Sequence, residues 1–223
     1  MILTNAWPGS AISRIAAGII AEANYDMPLE IQALIFDCDG TLVDTMPLHW
    51  QAWEGVSRRH GLRFPEERFY ALGGVPSRDI VKMLAAEQNL RLDHLAVTRE
   101  KEEAYLQVMR QAKPIPAVVE IVRQHEGKLP MAVASGGTRQ VIELILEHAG
   151  IRSHFQAVVT SEDVIRQKPA PDIFIEAARR LGVAPERCRA FEDTELGLRS
   201  IRSAGMEAVD VRPYYLPRVL SVR

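Results

Sequence analysis

Five short apolar runs alternate with amphipathic segments along most of the chain, and this alternation restricts the fold more than any other feature. Each run is nearly continuously apolar and is bounded by polar residues, glycine or proline. Such runs are typical of strands buried on both faces of a parallel sheet. The predicted strands are Ile31–Asp37, Pro130–Ser135, Ala157–Ser161, Arg187–Asp193 and Glu207–Val211.

The segments between the later strands have apolar residues at helical spacing, and each ends in glycine, a common helix stop signal. They span residues 139–150, 171–182 and 195–205. Strand–helix alternation of this kind predicts an α/β fold with a Rossmann-like, doubly wound parallel sheet. The 47% hydrophobic content is sufficient for a sizeable core.

One long interval interrupts the alternation. From Thr45 to Pro114 no convincing strand is visible, and three segments have helical patterns. An interval of this length is too long for a loop. We therefore predict a helical cap at residues 46–114, inserted into a core made of residues 31–45 and 115–223. Residues 1–30 form an N-terminal extension, in which residues 10–23 have the pattern of an amphipathic helix.

Charge and cysteine content exclude several classes of protein. The net charge is −2 and no basic tract is present, so no nucleic-acid partner is expected. No apolar run approaches the length of a membrane span, and a secretory signal is not favoured because Arg14 is the first positive charge. Two cysteines, Cys38 and Cys188, fit buried thiols in a reducing cytoplasm. We expect a cytoplasmic monomer, with a dimer through the N-terminal extension as the alternative.

Polar residues follow four of the predicted strands. In a parallel α/β sheet the carboxyl ends of the strands meet at the ligand-binding edge, so these residues should converge there. They are Asp37, Asp39, Ser135, Gly136, Lys168, Glu192 and Asp193. Clustered carboxylates need a cation, and oxygen ligands of this kind suit Mg²⁺, which shares its coordination shell with phosphate. A lysine and backbone N–H groups would bind the remaining phosphate oxygens.

The spacing of Asp37 and Asp39 indicates that the two carboxyl groups have different chemical roles. A carboxylate can attack phosphorus as a nucleophile, and a second carboxyl group is then needed to protonate the leaving group. Strand alternation places Asp37 and Asp39 on one side and Cys38 on the other. Gly40 and Thr41 follow in a tight turn, with N–H groups that could meet an anion. Taken singly, each of these residues has an ordinary structural explanation, and only their combination predicts a site.

Four stretches resemble the motifs of the haloacid dehalogenase-like hydrolases. They are DCDGTLVDT, Ser135, KPAPDIF and FEDTELGLRSIRSAGM. The resemblance implies that Asp37 is the nucleophile and Asp39 the general acid/base. It also implies that Mg²⁺ is held by Asp37, the carbonyl of Asp39 and Asp193, with Glu192 close by. Ser135 and Lys168 would hold the phosphoryl group, and the Lys168–Pro169 bond would be cis.

The cap position resembles the group that contains β-phosphoglucomutases and small sugar-phosphate phosphatases. A mutase of this group needs two cationic residues for a second phosphate, and the positions that the resemblance assigns to them hold Ala71 and Thr138. Arg139 or Arg78 could substitute, so a mutase remains the alternative and a non-catalytic binding protein a third. We expect a Mg²⁺-dependent phosphatase of a sugar phosphate such as fructose 1-phosphate. The cap residues expected to face this small phosphomonoester are His49, Gly73, Gly74 and Arg78.

Overall fold

The computed structural model describes residues 30–214. Its centre is a five-stranded parallel sheet in the order β5-β4-β1-β6-β7. The strands are β1 (Ala33–Phe36), β4 (Met131–Ala134), β5 (Ala157–Val159), β6 (Cys188–Glu192) and β7 (Glu207–Asp210). All residues of β1 are buried, as expected for the central strand of a sheet covered on both faces. The predicted α/β fold with a doubly wound parallel sheet is confirmed.

Two layers of helices cover the sheet. One face carries α5 (Pro116–His125) and α6 (Arg139–His148), whose apolar residues pack against Phe36 and Val133. The other face carries α7 (Asp172–Leu181) and α8 (Glu195–Ser203), which pack against Ile35 and Ala190. Because the five strands of this sheet are parallel, all their carboxyl ends open at one edge of the sheet.

Four helices follow the first strand. They are α1 (Met46–Arg59), α2 (Glu66–Ala71), α3 (Ser77–Glu87) and α4 (His94–Val108). They enclose their own apolar cluster around Trp53, Phe64 and Leu84. Tyr105 of α4 belongs instead to the apolar cluster on the sheet face of Phe36. Residues 46–114 are called the helical insert below.

A short ribbon joins the helical insert to the sheet. It pairs β2 (Val43–Asp44) with β3 (Lys113–Pro114) in antiparallel fashion. The expectation of no strand between Thr45 and Pro114 was therefore wrong at its last two residues. A two-residue pair has no periodicity to reveal it in the sequence, and it forms because the two connections of the insert run side by side.

The carboxyl ends of the predicted strands extend one or two residues beyond the paired segments, because these last residues lie in the loops that leave the sheet. Asp37 and Ser135 come directly after the last paired residues of β1 and β4. The helix predicted for residues 10–23 lies outside the described residues. Within residues 30–214, none of the helices has the length and apolar character needed to cross a membrane.

Candidate active site

Asp37 lies at the centre of a buried charged cluster at the carboxyl edge of the sheet. The Lys168 Nζ atom is 2.7 Å from Asp37 Oδ1 and 2.8 Å from Glu192 Oε2. Oxygen atoms of Asp37, Glu192 and Asp193 lie within 4.8 Å of one another. Lys168 comes from the loop after β5, and the two acids come from the end of β6. The structure thus brings together four of the residues that the sequence predicted to meet.

The charges of this cluster are not balanced by the protein alone. Burial, followed by the negative charge of Glu192, raises the pKa of Asp37 well above its ordinary value. The same two causes raise the pKa of Asp193 to about 8. Burial would lower the pKa of Lys168, but the charges of Asp37 and Glu192 outweigh it and raise that pKa. The three close carboxylates form an oxygen donor set that fits a divalent cation, and the single ammonium group of Lys168 leaves part of their negative charge uncompensated.

Glu192 is held in place by hydrogen bonds to both of its oxygen atoms. Its Oε1 accepts from the Thr194 backbone N–H at 2.9 Å and from the Thr194 hydroxyl at 2.7 Å. Its Oε2 accepts from Lys168. Thr194 is also the N-cap of α8, where its hydroxyl accepts from the Gly197 N–H at 3.1 Å. Glu192 is therefore fixed at the N-terminus of α8 and holds the Lys168 ammonium group beside Asp37.

The turn after β1 requires glycine because it closes onto Asp193. Gly40 has a φ of +80°, a conformation that other residues rarely adopt. A Cβ atom at this position would lie 2.8 Å from Asp193 Cγ, closer than packing allows. Thr41, predicted to bind phosphate, is fully buried and donates its hydroxyl to Asp193 Oδ1 at 2.9 Å. The turn thus fixes the Asp193 carboxylate beside Asp37.

Asp39 occupies a different environment from Asp37. Its Oδ1 accepts from the Thr45 hydroxyl at 2.7 Å and lies 3.5 Å from His49 Nε2. Its Oδ2 is 3.4 Å from the Ser135 hydroxyl. Burial would raise the pKa of Asp39, but the hydrogen bonds and charge of His49, together with the Thr45 hydrogen bond, hold it below its ordinary value. Two neighbouring aspartates therefore differ in the proton affinity of their carboxylates.

Two residues of α4, Lys101 and Tyr105, extend this environment, and no sequence pattern indicated them. Lys101 is almost fully buried, and its Nζ lies 2.9 Å from His49 Nδ1. The Tyr105 ring stacks on the His49 ring with centroids 3.7 Å apart. Because both nitrogens of His49 face fixed partners, its ring is held with Nε2 directed at Asp39. Lys101 lies in a charged stretch of sequence that resembles an exposed helix face, so its buried contact with His49 could not be recognised from the sequence.

The loop after β4 is bound to the loop after β5. The Gly137 carbonyl accepts from the Ser161 N–H at 3.1 Å and from the Ser161 hydroxyl at 2.9 Å. Glu162 Oε1 accepts from the Arg139 N–H at 3.1 Å, at the start of α6. Ser135 lies in the first loop and Lys168 in the second, so these bonds join the two loops that carry predicted phosphate-binding residues. Gly136, the next residue of the first loop, is exposed.

The remaining predicted residues of the helical insert lie in two different settings. Gly73 and Gly74 face the loop after β6, where a Cβ atom would be 3.3 Å from Thr194 Cγ2 and 3.1 Å from Thr194 Oγ1, respectively. Arg78 is exposed, and its Nε is 3.7 Å from Asp79. The structure brings Gly73, Gly74 and His49 toward the sheet edge, and it leaves Arg78 at the surface.

Three further expectations concern single groups. The Lys168–Pro169 bond is cis, as the resemblance predicted. Cys38 and Cys188 are free thiols and are fully buried, which confirms their assignment as apolar filling residues. The Arg139 guanidinium, considered as a substitute phosphate ligand, bonds to Asp163 and to the Val158 carbonyl.

Comparisons with known proteins agree with this geometry. A fructose-1-phosphate phosphatase of Escherichia coli (strain K12), YqaB, is 41% identical over 180 residues, covering 80% of this chain and 95% of that protein. A β-phosphoglucomutase of Bacillus subtilis (strain 168) is 28% identical over 189 residues, covering 81% and 83%. The crystal structure of a β-phosphoglucomutase from Clostridium difficile has the same fold, with a TM-score of 0.74 at 23% identity, covering 81% and 84%.

The family model described as haloacid dehalogenase-like hydrolase matches residues 31–205. This range includes all the strands of the parallel sheet except the last, and all the residues of the cluster around Asp37 and Asp39. The chain belongs to the haloacid dehalogenase-like hydrolases.

Proposed function

We propose that the protein is a Mg²⁺-dependent phosphatase that hydrolyses a small sugar phosphate through an aspartyl-phosphate intermediate. The observation that carries the proposal is the contrast between two neighbouring carboxylates. Asp37 lies within the acidic cluster next to Lys168, and Asp39 lies outside it, bonded to Thr45 and near His49. Two carboxylates in different environments suit two different roles.

The reaction has two steps. In the first, an Asp37 oxygen attacks phosphorus, the bond from phosphorus to the sugar oxygen breaks, and Asp39 gives its proton to that oxygen. In the second, water attacks the phosphorus of the aspartyl-phosphate, Asp39 takes a proton from the water, and Asp37 is released with inorganic phosphate. The charge of a bound phosphate would raise the pKa of Asp39 and favour its protonated form before the first step. The charge of a bound divalent cation would lower the pKa of Asp37, so that its carboxylate is ionised when it attacks phosphorus.

The metal-binding groups would be the carboxylates of Asp37 and Asp193 and the backbone carbonyl of Asp39, with Glu192 close by. A bound Mg²⁺ would neutralise phosphate oxygens and the crowded carboxylates. Ser135, Lys168 and the N–H group of Gly136 would bind the remaining phosphate oxygens. The expected contribution of Thr41 is not proposed, because its N–H donates to the Cys38 carbonyl and its hydroxyl to Asp193. Because phosphoryl transfer depends mainly on positioning and charge stabilisation, these contacts would carry much of the catalysis.

The helical insert would act as a cap that selects the substrate. His49, Gly73 and Gly74 lie on its side toward the sheet edge, whereas Arg78 is exposed and would need to turn inward to reach a ligand. The 41% identity to a fructose-1-phosphate phosphatase supports a sugar phosphate as the substrate. We propose that the enzyme is a monomer and acts in the cytoplasm.

The alternative function is a phosphosugar mutase, which the 28% identity to a β-phosphoglucomutase supports. A mutase holds a second phosphate with cationic groups. Ala71 and Thr138 provide none, and the Arg139 guanidinium is bonded to Asp163. These contacts favour the phosphatase. The test supplies β-glucose 1-phosphate with a trace of glucose 1,6-bisphosphate and Mg²⁺: a phosphatase yields inorganic phosphate and free sugar, whereas a mutase yields glucose 6-phosphate.

The direct test of the phosphatase is a panel of phosphorylated metabolites assayed for phosphate release with Mg²⁺ and with EDTA. At least one sugar phosphate should be hydrolysed with Mg²⁺ alone, and Asp37→Asn should abolish that turnover. The third possibility, a non-catalytic binding protein, requires that no member of the panel be hydrolysed although the sugar phosphates bind. Near-normal activity of Asp37→Asn would refute the proposed mechanism.

A further inference from the structure

Glu102 connects two parts of the helical insert that border the site. Its Oε1 accepts from the Ser77 hydroxyl at 2.8 Å and from Lys101 Nζ at 3.1 Å. Ser77 begins α3, directly after the loop of Gly73 and Gly74 that lies against Thr194. Lys101 Nζ lies 2.9 Å from His49 Nδ1, and the other ring nitrogen of His49 faces Asp39. Glu102 therefore lies between the loop that faces the core and the side chains that face Asp39.

The Glu102 carboxylate remains accessible although it is hydrogen-bonded. Its side chain is 44% exposed, whereas the Lys101 side chain beside it is 3% exposed. A ligand that enters between the insert and the sheet edge would thus meet the carboxylate before the ammonium group. Carboxylate oxygens accept hydrogen bonds from hydroxyl groups, and a nearby carboxylate repels a phosphate.

The cation next to Glu102 is already engaged. Lys101 donates to Glu102 and contacts His49, and its ammonium group also lies 5.4 Å from the centre of the Tyr105 ring. Binding a second phosphate here would require Lys101 to leave two partners in a buried position, which is costly. The exposed member of this ion pair is therefore the Glu102 carboxylate, whereas the Lys101 ammonium group is buried.

Building on the proposed phosphatase, we infer that Glu102 determines specificity by charge: it selects phosphomonoesters whose distal end is uncharged and hydroxylated, and it disfavours bisphosphates. The substrate class is then a sugar or polyol monophosphate.

The test compares Glu102→Gln with Glu103→Gln. Both variants remove one negative charge from α4, but Glu103 is exposed to solvent on the same helix. Fructose 1-phosphate and fructose 1,6-bisphosphate are each used as competitive inhibitors of p-nitrophenyl phosphate hydrolysis with Mg²⁺. The measured quantity is the ratio of the two inhibition constants, which does not depend on which phosphate is cleaved.

Glu102→Gln should shift this ratio toward the bisphosphate by about tenfold, because glutamine keeps an oxygen acceptor for Ser77 and removes the charge. Glu103→Gln should leave it within about twofold, and so should Glu102→Asp, which keeps the charge. An unchanged ratio in an active Glu102→Gln enzyme would overturn the inference, and so would an equal shift in Glu102→Asp. If the unmodified protein does not hydrolyse p-nitrophenyl phosphate, the inhibition constants are measured against a sugar phosphate that it does hydrolyse. If it hydrolyses no phosphomonoester at all, the proposed function itself fails and removes the basis of this inference.

Discussion

Replacing Gly197 by alanine should destabilise the protein although the glycine lies within a helix. A Cβ atom at this position would overlap the Glu192 carboxylate and would lie 2.5 Å from Glu192 Cγ. Glu192 would have to move, because the clash is with a buried side chain that both Lys168 and Thr194 hold in place. The alanine would therefore disturb the site that this carboxylate organises.

The size of the effect follows from two opposing contributions. Alanine is favoured over glycine in a helix by about 1 kcal/mol. Displacing Glu192 would weaken hydrogen bonds that involve a charged group, each contributing about 1.5–3 kcal/mol, and would crowd a packed region. The net expectation is a loss of roughly 2–4 kcal/mol in the free energy of unfolding, with a marked fall in kcat/KM.

Urea denaturation measures this loss, with Gly55→Ala as the matched control. Gly55 also lies within a helix, but a Cβ atom there would meet only Arg59 Nη1, at 3.5 Å. At an m-value of about 2 kcal/mol/M, Gly197→Ala should lower the urea midpoint by about 1 M or more, whereas Gly55→Ala should leave it unchanged or raise it. A Gly197→Ala protein as stable and active as the unmodified one would refute the packing argument.

Three other changes have expected outcomes. Asp39→Asn should slow the hydrolysis of sugar phosphates by about 10²–10⁴-fold. It should slow the hydrolysis of p-nitrophenyl phosphate much less, because nitrophenolate needs little protonation to leave. Equal losses of activity on both substrates would contradict the role of Asp39 as the acid. Ser161→Ala removes one hydrogen bond that holds the loop of Ser135, so the inhibition constant of orthophosphate should rise by about fivefold with the Tm nearly unchanged, and an unaltered constant would count against this positioning. Burial would raise the pKa of Asp163, but hydrogen bonds from Arg180 and Thr160 lower it to about 2. The contribution of Asp163 to the free energy of unfolding should therefore be full above about pH 4 and disappear as the pH falls to about 2. The difference in urea midpoint between the unmodified protein and Asp163→Asn should therefore shrink over that range, and a constant difference would refute this assignment.

The sequence predicted the sheet and the convergence of its site residues because both follow from local patterns. Asp37, Ser135 and Asp193 directly follow apolar strands, and parallel strands open at one edge. Thr45 could have been identified as well, since it lies six residues after Asp39 within the same motif. The sequence therefore predicted which residues meet at the site, but not the distances between them.

The contacts made by the helical insert could not be predicted in this way. Lys101 reaches His49 across 52 positions of sequence, and its position depends on how α4 packs against α1. Neither residue has a spacing that distinguishes it from the charged residues of an exposed helix. The same holds for Ser161, whose contact with Gly137 depends on the register of two neighbouring strands.

The role of Asp37 as the nucleophile is the central claim, and trapping the intermediate tests it most directly. The enzyme is mixed with Mg²⁺ and a hydrolysed sugar phosphate, quenched in acid within the first turnover, and treated with borohydride, which reduces an acyl phosphate of aspartate to homoserine. Mass spectrometry of the peptides should find homoserine at position 37 and aspartate at position 39. Homoserine at any other position, or rapid phosphate release with no reducible acyl phosphate at Asp37, would contradict the proposed mechanism.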